Sequence, residues 1–169
     1  LTIYYLGARI GTIWAKIILV LASLTFYAWW NPAYLFLILG SMLFNFALAN
    51  RLSVNSHGSK RVTLFVGIAV NLAAIGYFKY YNFFLESTGF LLGKDFVLER
   101  IILPLAISFF TFQQITYLVD SMNGKIRHHF FLDYCLFVTF FPQLISGPIV
   151  HHSEMMPQFK KDNAFKFKK

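Results

Sequence analysis

Charge and sulphur are both scarce in this chain, and each shortage excludes something. Only 13% of the 169 residues are charged, where ordinary globular chains carry about 25%, and hydrophobic residues make up 57%. Mean hydropathy is +0.59. A soluble domain is excluded, and an integral membrane chain is expected. Cys135 is the only cysteine, so no disulfide can close within these residues and no cysteine-based metal site can form. Acids are the scarcer charge, with 7 Asp and Glu against 15 Lys and Arg. The basic residues lie between apolar segments or in the 160–169 tail and share no single face, so they speak for membrane topology and anionic headgroups, not nucleic acid. No signal-peptide cleavage site follows the first apolar run.

What is abundant is aromatic: 20% of the residues, 21 of them Phe. This content suits lipid-facing and interfacial helix surfaces. The pattern predicts an all-α polytopic membrane protein with about four transmembrane helices and one broken or re-entrant helix, together a single incomplete transmembrane region. The first span, 10–30, ends on Tyr27, Trp29 and Trp30, an interfacial belt before the Asn31-Pro32 turn. Lys16 near its other end is expected to snorkel to the interface. The second span, 33–49, holds Gly40 and Ser41, small residues expected to allow close packing, and Asn45, expected to face another helix. A polar, flexible bridge is expected at 50–61, and its Arg51, Lys60 and Arg61 place it in the cytoplasm. A third span follows at 62–85 with Asn71 inside, then an external loop at 86–100. The fourth span, 101–119, carries Pro104 in its expected first turn.

The stretch 132–150 has the length of a span but not its character. Pro142 and Pro148 break it, Ser146-Gly147 loosens it, and a full crossing would leave five lysines of the basic tail 151–169 outside. A re-entrant or broken path answers both points. Pro142, Gln143, Gly147 and Pro148 are therefore candidates for shaping a substrate passage, joined by Ser108 and Gln113, with Thr111 and Gln114 nearby. Helix breaks supply free backbone groups that can hold a thioester, a phosphate or an oxyanion. Each candidate also has a plainer reading, in which the breaks let helices bend and the amides bond neighbouring helices. Asp120 and Asp133 are read as anchors at helix ends. His151 and His152 come directly after the break and are candidates for the donor side. Adjacent histidines diverge on a helix, so no metal site is expected.

Three blocks in order carry a family resemblance: 21–46 (LASLTFYAWWNPAYLFLILGSMLFNF), 103–120 (LPLAISFFTFQQITYLVD) and 132–150 (LDYCLFVTFFPQLISGPIV), followed by EMMPQ at 154–158. With these the chain resembles the membrane-bound O-acyltransferase family, in its bacterial alginate O-acetylase-like branch, and specifically the N-terminal part of such an enzyme. The resemblance implies a larger inner-membrane protein that passes an acyl group, typically acetyl, from a cytosolic donor such as acetyl-CoA to a cell-surface or exopolysaccharide. It implies no bound cofactor, and it implies a periplasmic partner protein. The family's catalytic histidine lies in a Trp-His block. Here Trp14, Trp29 and Trp30 precede Ala15, Trp30 and Asn31, so no catalytic residue is expected in this chain and it is expected to be inactive alone. A transporter or channel subunit, or a truncated remnant without catalysis, remains the alternative, since broken helices with polar midpoints also build transport paths. The passage reading predicts that Gly147→Leu in the full-length parent abolishes acyl transfer while membrane insertion persists. Near-normal transfer by that variant would remove the break from the mechanism.

Overall fold

A computed structural model describes residues 11–54, 57–92, 101–126 and 130–140, together with His152, Met155, Met156 and Phe159. Five helices follow in order: α1 (Thr12–Trp30), α2 (Pro32–Val54), α3 (His57–Leu92), α4 (Ile107–Met122) and α5 (Phe131–Thr139). Among the described residues there is no strand. Three helices are long and apolar enough to cross a membrane, with windows at Thr12–Trp29, Pro32–Val54 and Ser59–Thr88. The chain is an all-α membrane protein.

The turn between α1 and α2 is a single residue. Asn31 accepts from the Ala33 N–H through Oδ1 at 3.0 Å, and its own carbonyl accepts from the Tyr34 N–H at 3.1 Å. Pro32 begins α2 where its missing N–H costs nothing. The polar bridge expected at 50–61 is mostly helix instead, because α2 runs on to Val54 and α3 starts at His57. Polar side chains there do not compete for the backbone. Ser53 bonds back to the carbonyl of Ala49, four residues earlier, and leaves the helical ladder intact, and Thr63 just beyond the bridge does the same to Ser59. The 36 residues of α3 also exceed the 62–85 span. At 1.5 Å per residue they reach about 54 Å, well beyond an apolar slab of roughly 30 Å.

The fourth helix begins later than expected, at Ile107 and not Ile101, so Pro104 lies ahead of it. Ala106 is left-handed (φ 54°), a conformation that a helix cannot continue through. The non-helical run before it is held by side chains from two other helices. Asn82 of α3 takes both backbone groups of Ile101, accepting its N–H at 3.0 Å and donating to its carbonyl at 2.8 Å. The Tyr34 hydroxyl of α2 donates to the Ile102 carbonyl. Non-helical backbone in an apolar setting survives only when protein supplies such partners.

Helix α4 packs against both α2 and α3, while α1 covers α5 and α2. On α2 the buried residues are Ile38, Met42, Asn45, Ala49 and Leu52, a four-three alternation that forms one seam. Every residue of α5 from Asp133 to Thr139 is buried, so this short helix is enclosed on all sides. Outward, α3 shows Phe65, Val66, Val70, Tyr77, Tyr80, Phe83 and Phe84, an aromatic and aliphatic surface suited to lipid.

Among the described residues Gly40 mediates no close packing, since a Cβ there would meet nothing within 4 Å. That role falls to Gly67, whose added Cβ would lie 2.6 Å from Leu118 Cδ1 and 3.1 Å from Leu48 Cδ1. Gly67 thus lets α3 approach α2 and α4 closely. Gly67→Leu is expected to push α3 outward and lower stability by about 1–3 kcal/mol. The thermal midpoint of the detergent-solubilised protein would record it, and an unchanged midpoint would refute the close-contact role.

Candidate functional site

Two polar constellations lie inside the bundle. The first joins α2, α3 and α4 one turn beyond Gly67. Asn71 of α3 donates through Nδ2 to Asn45 Oδ1 at 2.6 Å and to the Gly67 carbonyl at 2.7 Å. Asn45 of α2 donates through Nδ2 to Gln114 Oε1 of α4 and to the Ser41 carbonyl at 2.9 Å, with Asn71 Oδ1 at 3.3 Å. Ser41 Oγ also donates to Gln114 Oε1, at 2.8 Å. Asn45, Asn71 and Gln114 are all buried. Asn45 thus faces its neighbouring helices, and the two donors on Gln114 Oε1 fix which way that amide is turned.

Gln113, expected to reach across to another helix or to substrate, is only 1% exposed, and its neighbour Gln114 makes the crossing bond. Among the described residues, Gln113 Oε1 and Gln114 Nε2 find no hydrogen-bond partner, and neither do Ser23 Oγ, Tyr27 Oη or Tyr134 Oη. Ser108 is half-buried in the first turn of α4 and lines an open cleft of about 310 Å³ with Leu103, Pro104, Ala106 and Phe109. Thr111 is buried one turn on.

The second constellation joins α1 to α5. Lys16 does not snorkel outward: its Nζ donates to Asp133 Oδ1 at 2.6 Å, with both side chains 11% exposed. Asp133 stands in the first turn of α5. A buried cation and a buried carboxylate each carry a desolvation cost, and pairing offsets part of it. In the sequence the two charges stand 117 positions apart, and nothing local couples them. The available signal was one isolated cation and one isolated acid in otherwise apolar runs. Asp120, near the end of α4, is likewise buried and ion-paired, with Lys125 Nζ at 3.2 Å.

Beside Asp133, Tyr134 stacks obliquely on Tyr117 of α4 (4.5 Å between ring centroids) and on Phe46 of α2 (5.5 Å). His152 meets Tyr117 at 5.1 Å and Phe137 at 5.4 Å, edge-on to both. Of the sequence candidates, Ser108, Gln113 and His152 are thus placed on or against α4, whereas Pro142, Gln143, Gly147, Pro148 and His151 lie outside the described residues. Asn71→Leu is expected to leave Asn45 Oδ1 without its donor and cost about 1–3 kcal/mol, while Asn45→Leu with Asn71→Leu costs less, because that acceptor leaves too and Ser41 Oγ still donates to Gln114 Oε1. Thermal midpoints of the two variants test this, and equal losses would contradict it.

Comparison with known proteins adds to this geometry. The chain is 46% identical over 174 aligned residues to the peptidoglycan O-acetyltransferase of Helicobacter pylori, an alignment covering 88% of this chain and 33% of that protein. It is 36% identical to the probable alginate O-acetylase AlgI of Pseudomonas aeruginosa, over 94% of this chain and 31% of that protein. With the probable alginate O-acetylase AlgI of Azotobacter vinelandii it shares 34% identity, over 94% of this chain and 33% of that protein. The chain spans about a third of the length of these curated relatives. No family model and no solved structure matches it. Similarity of this extent, running through all three sequence blocks and the helices they form, bears out the resemblance to the membrane-bound O-acyltransferase family in its alginate O-acetylase-like branch.

Proposed function

We propose that this chain forms part of a membrane O-acetyltransferase that moves acetyl groups from a cytosolic thioester donor to a cell-wall glycan, with peptidoglycan as the acceptor. One observation carries the reading. Identity to the peptidoglycan O-acetyltransferase is 46%, against 29–36% for the alginate O-acetylases, each over nearly all of this chain. In the reaction the acetyl C–S bond breaks and a C–O ester bond to a sugar hydroxyl forms. The hydroxyl proton leaves through a general base, and the thiol of the donor is released.

The buried side chains support a share in such a protein. A donor on one side and a glycan on the other must meet inside the bilayer, so helices must hold a protein-lined polar interior there. Asn45, Asn71 and Gln114 provide polar groups of this kind between three helices. Lys16 and Asp133 add a paired charge between two more. In this proposal the enzyme resides in the inner membrane, with Arg51, Lys60 and Arg61 on the cytoplasmic side and a periplasmic protein assisting transfer to the glycan.

The test is deletion of the reading frame that encodes the chain, followed by base hydrolysis of purified peptidoglycan and assay of released acetate. Loss of most ester-linked acetate, restored by the full-length gene, is expected. Acetate lost only from an exopolysaccharide would reassign the acceptor, and unchanged acetate in both polymers would overturn the transferase reading.

A further inference from the structure

Among the described residues, the Lys16–Asp133 pair links the side chains of α1 and α5 through charge, where their other contacts rest on shape. Its atoms approach to 2.6 Å across 117 positions of sequence, and both side chains are nearly enclosed. Stability alone is a poor reason to keep such a pair. Two charges removed from water can lose more in hydration than they recover in attraction, and a packed apolar pair of similar volume often holds a fold as well or better. In an apolar bundle, ionisable residues tend to serve function, with their partner as part of the device.

What an ion pair adds to apolar contact is direction. Helix α5 is nine residues long and buried from Asp133 to Thr139. A short helix wrapped in apolar side chains can turn about its axis or slide with little change in buried area. A single bond from Lys16 Nζ to Asp133 Oδ1 fixes both its rotation and its register against α1. The helix N-terminus also favours the negative charge of Asp133, its only first-turn acid. Rotation of α5 sets where its aromatic side chains point. Tyr134 lies against Tyr117 of α4, and Phe137, one turn later, meets both Tyr117 (6.3 Å) and the edge of His152 (5.4 Å). A turn of α5 about its axis would carry Phe137 away from the imidazole.

We infer that Lys16 and Asp133 are positioning residues of the acyl-transfer site, holding α5 in the single rotation that lets Tyr117 and Phe137 seat His152. This rests on the transferase reading above. The pair acts through α5 and touches neither donor nor glycan.

The experiment uses the full-length protein in proteoliposomes, with acetyl-coenzyme A as donor probe and soluble peptidoglycan fragments as acceptor, tracking thiol release. Lys16→Met with Asp133→Leu replaces the pair by apolar groups. The expected result is a thermal midpoint equal to or above that of the wild type, together with a fall in kcat of about 100-fold, the scale set by misplacement of site groups by an ångström. Cys135 lies two residues after Asp133 and is buried, so its alkylation by N-ethylmaleimide, read by peptide mass, should quicken as α5 loosens. A double variant with kcat within about threefold of wild type overturns the inference and leaves a structural pair. If the double variant does not accumulate, Lys16→Arg decides. Kept charge should keep transfer and slow alkylation, and a loss of about tenfold with alkylation unchanged overturns the inference. A wild-type protein that releases no thiol defeats the transferase reading itself, an outcome visible before any variant is compared.

Discussion

Side-chain amides that must find partners inside an apolar bundle organise this molecule. Asn45 stands at the centre, accepting from Asn71 on one neighbouring helix and donating to Gln114 on another. In hydrocarbon or packed protein an amide left without partners is costly, so three helices can adopt only arrangements in which the three residues meet. The close approach at Gly67 makes the meeting feasible, because it brings α3 near Leu48 and Leu118 one turn before Asn71. Lipid-like side chains give no comparable directional force between helices, since their contacts with each other and with lipid are similar. The polar bonds select the arrangement, and the Ile38–Leu52 seam fills it.

The same requirement explains the irregular backbone before α4. Residues 101–106 leave the helical ladder, and their backbone groups are taken up by Asn82 and Tyr34 from two other helices. The left-handed Ala106 then turns the chain into a helix of 16 residues. Two short helices, α4 and α5, thereby occupy the inside, while α1, α2 and α3 have the length to cross a bilayer and form its surround. Among the described residues, buried polar groups concentrate on the inner helices, and the largest group of exposed aromatics belongs to α3. The outer helices answer to lipid, and the inner ones hold groups that lipid would not tolerate.

Several features were legible in the residues. Length, hydropathy and the Asn31-Pro32 turn gave the first helical hairpin, whose structure differs from expectation by a few residues at each end. The resemblance in three ordered blocks pointed to the family that the relatives support. Helix boundaries near polar runs were less legible. Ser53 looks like a loop residue by composition, yet it bonds back within its own helix. Pro104 looks like a first-turn residue, yet the turn at Ala106, stabilised from elsewhere in the fold, delays the helix. Gly40 and Gly67 look alike in sequence, and only the neighbour across the interface tells them apart.

The sequence by itself determined that the chain is helical and lives in a membrane, because those properties follow from summed hydropathy and from local backbone preference. It also marked which residues were out of place in apolar surroundings: Lys16, Asn45, Asn71, Gln113, Gln114 and Asp133. It could not pair them, since pairing depends on distances between helices that are far apart in the chain. Only the tertiary structure decided that Lys16 turns inward to Asp133, that Gln114 and not Gln113 reaches α2, and that His152 lies against Tyr117 and Phe137. The physical reason is that a buried polar group takes its energy from a partner, and the fold determines which partner comes within reach.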